Sequence, residues 1–161
     1  MARHDADNAR EEAGLVRAAD AATSVPAFID ARLLFDAGSY DEALPLFVEA
    51  VNRSKRAHRP LLADLRFYTA ETLARLDRTE EAEAEYVEEL IVFPENARAS
   101  AALAVLYQAA GRSDDASRVV SEMVETTPTP EIYALAARLW TTIGNAREAA
   151  AARAEARKES K

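Results

Sequence analysis

The side chains that could do chemistry at neutral pH are few, and they are poorly spaced for it. The chain has two histidines, His4 and His58, and no cysteine. His58 lies in a basic stretch beside Arg56 and Arg59. Neither histidine has a second ligand at zinc spacing. The lack of cysteine excludes disulfides, thiolate metal sites and cysteine nucleophiles. Ser24, Ser39, Ser100, Ser113 and Ser117 have no histidine placed to take their protons. No nucleophile elbow, phosphate-binding glycine loop, dinucleotide fingerprint or His-Glu-x-x-His pair occurs. Glu80, Glu81, Glu83, Glu85, Glu88 and Glu89 form a dense acid cluster. A cation cage needs oxygen ligands from a closing loop, whereas helical spacing spreads these six round an exposed face. A carboxylate pair is the one catalytic device the residue types leave open. The expectation is a protein that is not an enzyme, with no catalytic residue, no metal site and no cofactor.

Composition narrows the partners. The net charge of −8 repels phosphate backbones, so nucleic acid is not expected as a partner. No apolar run reaches the ~18 residues of a membrane span. The opening MARHDADNAREEAG lacks the apolar stretch of a secretory signal. A cytoplasmic protein without membrane insertion is expected. Hydrophobic residues make up 49% of the chain, enough for a core, and 30% charge keeps its surface solvated.

What positions these residues is a pattern that occurs four times. Small residues stand at Ala31, Ala70, Ala104 and Ala137, followed three positions on by Leu34, Leu73, Tyr107 and Trp140. Four further on come Gly38, Asp77, Gly111 and Gly144, and five after those Ala43, Ala82, Ala116 and Ala149. The last set is spaced by 39, 34 and 33 residues. A period of ~34 residues with this signature is a helix–turn–helix repeat that must stack on its neighbours. The repeats run about 24–57, 60–96, 97–129 and 130–161, after an extension over 1–23. That extension holds a helix-capable stretch from about Asp7 to Ala22, read either as a worn half-repeat or as a disordered tail.

Local signals add detail. Pro26 opens the first helix and Gly38 ends it in a left-handed turn. Ser39 with Glu42, and Asn145 with Glu148, have capping-box spacing. Pro45 should kink its helix. Pro60 suits the first turn of the third helix, and Pro94 stops the fourth. Arg153 takes the place of Phe47, Tyr86 and Val120, as a polar end face requires.

These residues resemble the tetratricopeptide-repeat family. LLFDAGSYDEALPLFVEAV is a close match to the family's turn and second helix, and LYQAAGRSDDASRVVSEMV a fair one. RLWTTIGNAREAAAARAEA and LARLDRTEEAEAEYVEELIVFP are looser but in phase. The resemblance implies an all-α fold, a right-handed α-solenoid of four antiparallel helix pairs, whose first helices line a concave groove. Ala27, Arg66 and Ser100 depart from it where the family carries a large aromatic, which Tyr133 retains. Lys55 replaces the repeat-ending proline.

Projected inward, the first helices offer a peptide-binding groove of Phe28, Arg32, Phe35, Phe67, Tyr68, Glu71, Arg75, Arg98, Val105, Gln108 and Arg138. Aromatic and arginine anchors are what peptide-binding surfaces use. The family's carboxylate clamp for acidic chaperone tails needs Lys and Asn, but Phe28, Ile29, Arg32 and Glu71 stand at those places. The resemblance thus implies a protein-interaction module that binds a peptide segment or helix. ETLARL, EEAEAEYVEEL and FPENARASAALAVLY also resemble repeat tails of larger bacterial proteins. A regulatory tail of a larger bacterial enzyme is therefore the second reading, and a self-assembling structural protein the third.

Overall fold

The computed structural model describes residues 23–158. The extra helix expected between Asp7 and Ala22 lies outside the described residues. Eight helices and no strand occur among those described. They are α1 (Val25–Asp36), α2 (Tyr40–Arg56), α3 (Leu65–Arg75), α4 (Thr79–Val92), α5 (Ala97–Ala109), α6 (Ser113–Thr126), α7 (Pro130–Ile143) and α8 (Ala146–Lys158). The chain falls into two compact units that divide between Glu85 and Tyr86.

The four turns share one hydrogen-bond design. Gly38 (φ 79°), Asp77 (φ 58°), Gly111 (φ 74°) and Gly144 (φ 89°) all adopt the left-handed conformation. The next amide in each case reaches back to the carbonyl of the large residue of the pattern. These bonds are Ser39 to Leu34 and Arg78 to Leu73 (both 2.9 Å), and Arg112 to Tyr107 and Asn145 to Trp140 (both 2.8 Å). That closure satisfies carbonyls the ending helix would otherwise leave bare. The following helix starts from the same residue. Ala43, Ala82, Ala116 and Ala149 donate to the carbonyls of Ser39, Arg78, Arg112 and Asn145 at 2.9–3.0 Å. The repeated small residues sit where helices touch. All eight alanines of the pattern are at most 3% exposed.

In the first unit, α1, α2 and α3 pack round Ala27, Ala31, Ala43, Phe47, Ala50, Val51 and Leu65. In the second, α5 packs on α6 and α7, and α7 on α6 and α8. Buried there are Leu103, Tyr107, Val119, Val120, Met123, Leu139 and Trp140. Arg153, by contrast, is exposed, and its Nη2 donates to Thr141 Oγ1 at 2.7 Å.

Two local expectations need correction. Ser39 makes no side-chain cap hydrogen bond. Thr129, at ψ 159°, does accept from the Ile132 amide. Asn145 occupies the same turn position as Ser39, but its longer side chain reaches the Glu148 amide at 3.4 Å. Pro60 does not open α3, which starts five residues later at Leu65. The intervening Leu61 and Leu62 pack on the core instead. His58 (φ 51°) forms a further left-handed closure, with the Arg59 amide bonded to Ser54 at 3.0 Å. Pro45 lies inside α2, and the helix runs on through it to Arg56.

The turn geometry predicts opposite effects at two positions. Gly111→Ala should lose about 1 kcal/mol and Asp77→Gly should gain a similar amount, because only glycine takes positive φ without cost. Urea midpoints check both. Space does not confound the first, since an added Cβ at Gly111 meets nothing within 4 Å. Ala82→Leu and Ala116→Leu should each cost roughly 1–3 kcal/mol by overpacking a helix contact. Parent-like melting of both would put the helix contacts elsewhere.

Candidate functional site

The aromatic face of the first unit grows from the spacing in α1. Phe28, Arg32 and Phe35 recur at helical intervals, and packing brings Tyr68 of α3 to them. The Tyr68 ring lies 5.5 Å from Phe35, 6.2 Å from Phe28 and 6.3 Å from Phe47, with which it stacks. Phe67 meets Tyr68 edge-on at 5.0 Å. The Arg32 guanidinium sits 3.6 Å over the Tyr68 ring and 5.7 Å from that of Phe35. Such placement is worth ~0.5–2 kcal/mol, depending on how dry the contact is. Asp36, one turn on, holds Arg32 in place, with Nη2 shared between its two carboxylate oxygens at 3.0 Å each. The other guanidinium nitrogens, Nε and Nη1, bond to no other described residue, and the side chain is 27% exposed. An aromatic bed with N–H donors beside it results. It can take apolar side chains and peptide carbonyls together.

The other expected groove residues are placed as follows. Phe67 is 6% exposed, so it supports Tyr68 from within and does not line an open surface. Glu71 is half-buried on α3, and exposed Arg75 lies 6.0 Å from the Tyr40 ring. In the second unit, α5 carries exposed Arg98 and Val105 together with half-buried Gln108. Gln108 accepts from Ser113 Oγ at 2.9 Å, so that oxygen already serves the turn. Arg138 is exposed on α7.

The acid cluster is not uniformly solvated, which corrects the sequence expectation. Glu89 is 1% exposed and accepts from Asn96 Nδ2 at 2.9 Å. Asn96 also caps α5 by accepting from the Ala99 amide at 3.3 Å. Glu85 accepts from Arg66, whose side chain is only 5% exposed. Arg66 stands where the resemblance calls for an aromatic. Its aliphatic stem fills that space while its charge is neutralised. At the surface, hydrogen bonds from Arg78 hold the Glu81 carboxyl below the usual carboxylate range. Those from Arg118 and then Arg112 do the same for Asp115. Among the described residues, no group of three or more His, Asp or Glu side chains could hold a metal ion. No described helix is long and apolar enough to cross a membrane.

Sequence reasoning missed a cleft of about 730 Å³ in the first unit. It is lined by Asp41, Leu44, Pro45 and Val48 of α2, by Thr69 and Leu73 of α3, and by Leu76, Arg78, Glu81, Ala84 and Glu85. Exposed Pro45 and Val48 in an otherwise amphipathic helix were the only signal for it.

A tetratricopeptide-repeat family model matches residues 86–139. Over that stretch, about a third of the chain, the sequence is that of a tetratricopeptide repeat. Solved tetratricopeptide-repeat structures share its fold. A crystal structure of MamA superposes with a TM-score of 0.72 at 16% identity, covering 99% of this chain and 91% of that one. A thermophilic tetratricopeptide-repeat protein of Thermus thermophilus gives 0.68 at 21% identity, over 98% and 84%. YrrB, described as having an unusual peptide-binding site, gives 0.66 at 14% identity, over 98% and 79%. No curated protein matches the sequence. The tetratricopeptide-repeat fold is an all-α arrangement of helix pairs, and it supports a protein–protein interaction module.

The Asn96 arrangement predicts a split between two substitutions. Asn96→Ala should cost about 1–2 kcal/mol through the lost cap and the lost bond to Glu89. Asn96→Asp keeps a capping oxygen but sets a second carboxylate against Glu89, so it should not restore stability. Parent-like urea midpoints for the Asp variant would mean that the cap alone matters.

Proposed function

We propose that this tetratricopeptide-repeat chain binds a peptide segment of a partner protein on the exposed face of its first helices. The observation that carries this reading is the partly exposed Arg32 guanidinium 3.6 Å over the Tyr68 ring, on the helix that carries Phe28 and Phe35. Such a surface offers apolar contact and carbonyl recognition at one place, the combination found at binding hot spots. Arg98, Val105 and Arg138 extend the candidate set in the second unit, and Glu71, Arg75 and Gln108 complete it. The fold favours an interaction role over a catalytic one.

The test uses a peptide selected from a random library against the folded chain. Arg32→Ala should weaken its binding by ~2 kcal/mol or more, while costing the fold no more than the ~0.5–2 kcal/mol of its ring contact. Tyr68→Ala is the poorer probe, because Tyr68 packs against four aromatic rings and its loss would also destabilise the unit. Glu83→Ala with Glu88→Ala, on a second helix, is the control. Those acids should affect mainly the salt-dependent on-rate. Full binding by Arg32→Ala and none by the glutamate pair would sink the reading.

A further inference from the structure

We infer that the cleft between α2 and α4 is a second docking site, shaped for a partner segment in which a lysine or arginine adjoins apolar side chains. It uses the second helices and owes nothing to the Arg32 face, so it goes beyond the function proposed above.

Its apolar part is substantial. Leu44 and Leu73 are buried at the base, while Pro45, Leu76 and Ala84 line it and Val48 stands 43% exposed. The volume falls among ligand-binding clefts of ~300–1,000 Å³. A few apolar side chains seated there would release the water that now covers Val48 and Pro45.

Its polar part is rich in acceptors. Three carboxylates line the cleft, from Asp41, Glu81 and Glu85, against the single guanidinium of Arg78. Arg78 is already committed to Glu81 at 2.7 and 2.8 Å, and Glu85 accepts from Arg66. Asp41 is exposed, and its carboxylate bonds to no described residue. Its backbone carbonyl lacks a helical donor as well. The amide four residues on would belong to Pro45, which has no N–H. An ammonium or guanidinium group entering beside α2 therefore meets the Asp41 carboxylate, which no described residue occupies. An acidic segment would be repelled. The net charge of −8 adds long-range attraction for a basic one.

The experiment titrates the full chain with two short amphipathic peptides, one of Leu and Lys and one of Leu and Glu. Methyl NMR and calorimetry are the readouts. The Leu/Lys peptide should shift the methyl resonances of Leu44, Val48, Leu73 and Leu76, and the Leu/Glu peptide should not. Asp41→Asn should weaken the Leu/Lys peptide by about fivefold, the share of one exposed ion pair. Ala84→Arg should abolish its binding by bulk and charge while leaving α4 folded, because arginine is a good helix former. Arg32→Ala should bind as the parent does, which separates this site from the first-helix face. Equal binding of the two peptides would overturn the assigned chemistry. An Ala84→Arg variant that still binds, or binding by calorimetry without a shift at these four residues, would overturn the site.

Discussion

Each second helix begins where a left-handed residue lets the preceding helix close on itself. The constraint is severe. One residue must hold φ near 60–90°, so that the next amide can turn back to a carbonyl five residues earlier. Once that bond forms, the same residue offers its carbonyl to the alanine that starts the next helix. Direction and register of the following helix are then set together. The alanines follow from this geometry, because the turn forces two helix backbones close and leaves no space for a larger side chain.

The two candidate surfaces of the first unit differ in how they are made. The Arg32 face is a filled surface, where rings pack against one another and a guanidinium lies on top. Its shape is set by the core beneath, since Phe47 belongs to the core and stacks on Tyr68. The cleft is an unfilled one. It exists because α2 presents Pro45 and Val48 where larger side chains could have met α4. One surface is filled and donor-bearing, and the other is open and acceptor-bearing.

The repeats were legible because their evidence is periodic. A single Ala or Gly says little, but Ala43, Ala82, Ala116 and Ala149 in phase with three glycines and Asp77 leave no other reading. Signals that depend on one residue's backbone angle were less secure. Ser39 and Asn145 look equivalent in sequence, yet the side chain is one bond too short in Ser39 to reach the same amide. Pro60 resembles a helix start, but Leu61 and Leu62 needed burial first, and that moved the start to Leu65. Glu89 looked like one more solvated acid, because its partner Asn96 lies beyond the end of its own helix. Of the candidate site, the α1 spacing of Phe28, Arg32 and Phe35 was readable, whereas their meeting with Tyr68 is a product of packing. The cleft was unreadable, since it depends on the distance between α2 and α4 and not on any motif.

The turns also carry a consequence for how the chain reaches this state. The contacts among the seven helices other than α4 join, within each unit, helices that are adjacent or next-adjacent along the chain. Little loop entropy must be spent before a contact forms, so the units belong among domains that fold in microseconds to milliseconds. Each closed turn is a small nucleus in its own right. Helix formation can therefore start at any of the four and spread to its neighbours, with no single obligatory order of assembly.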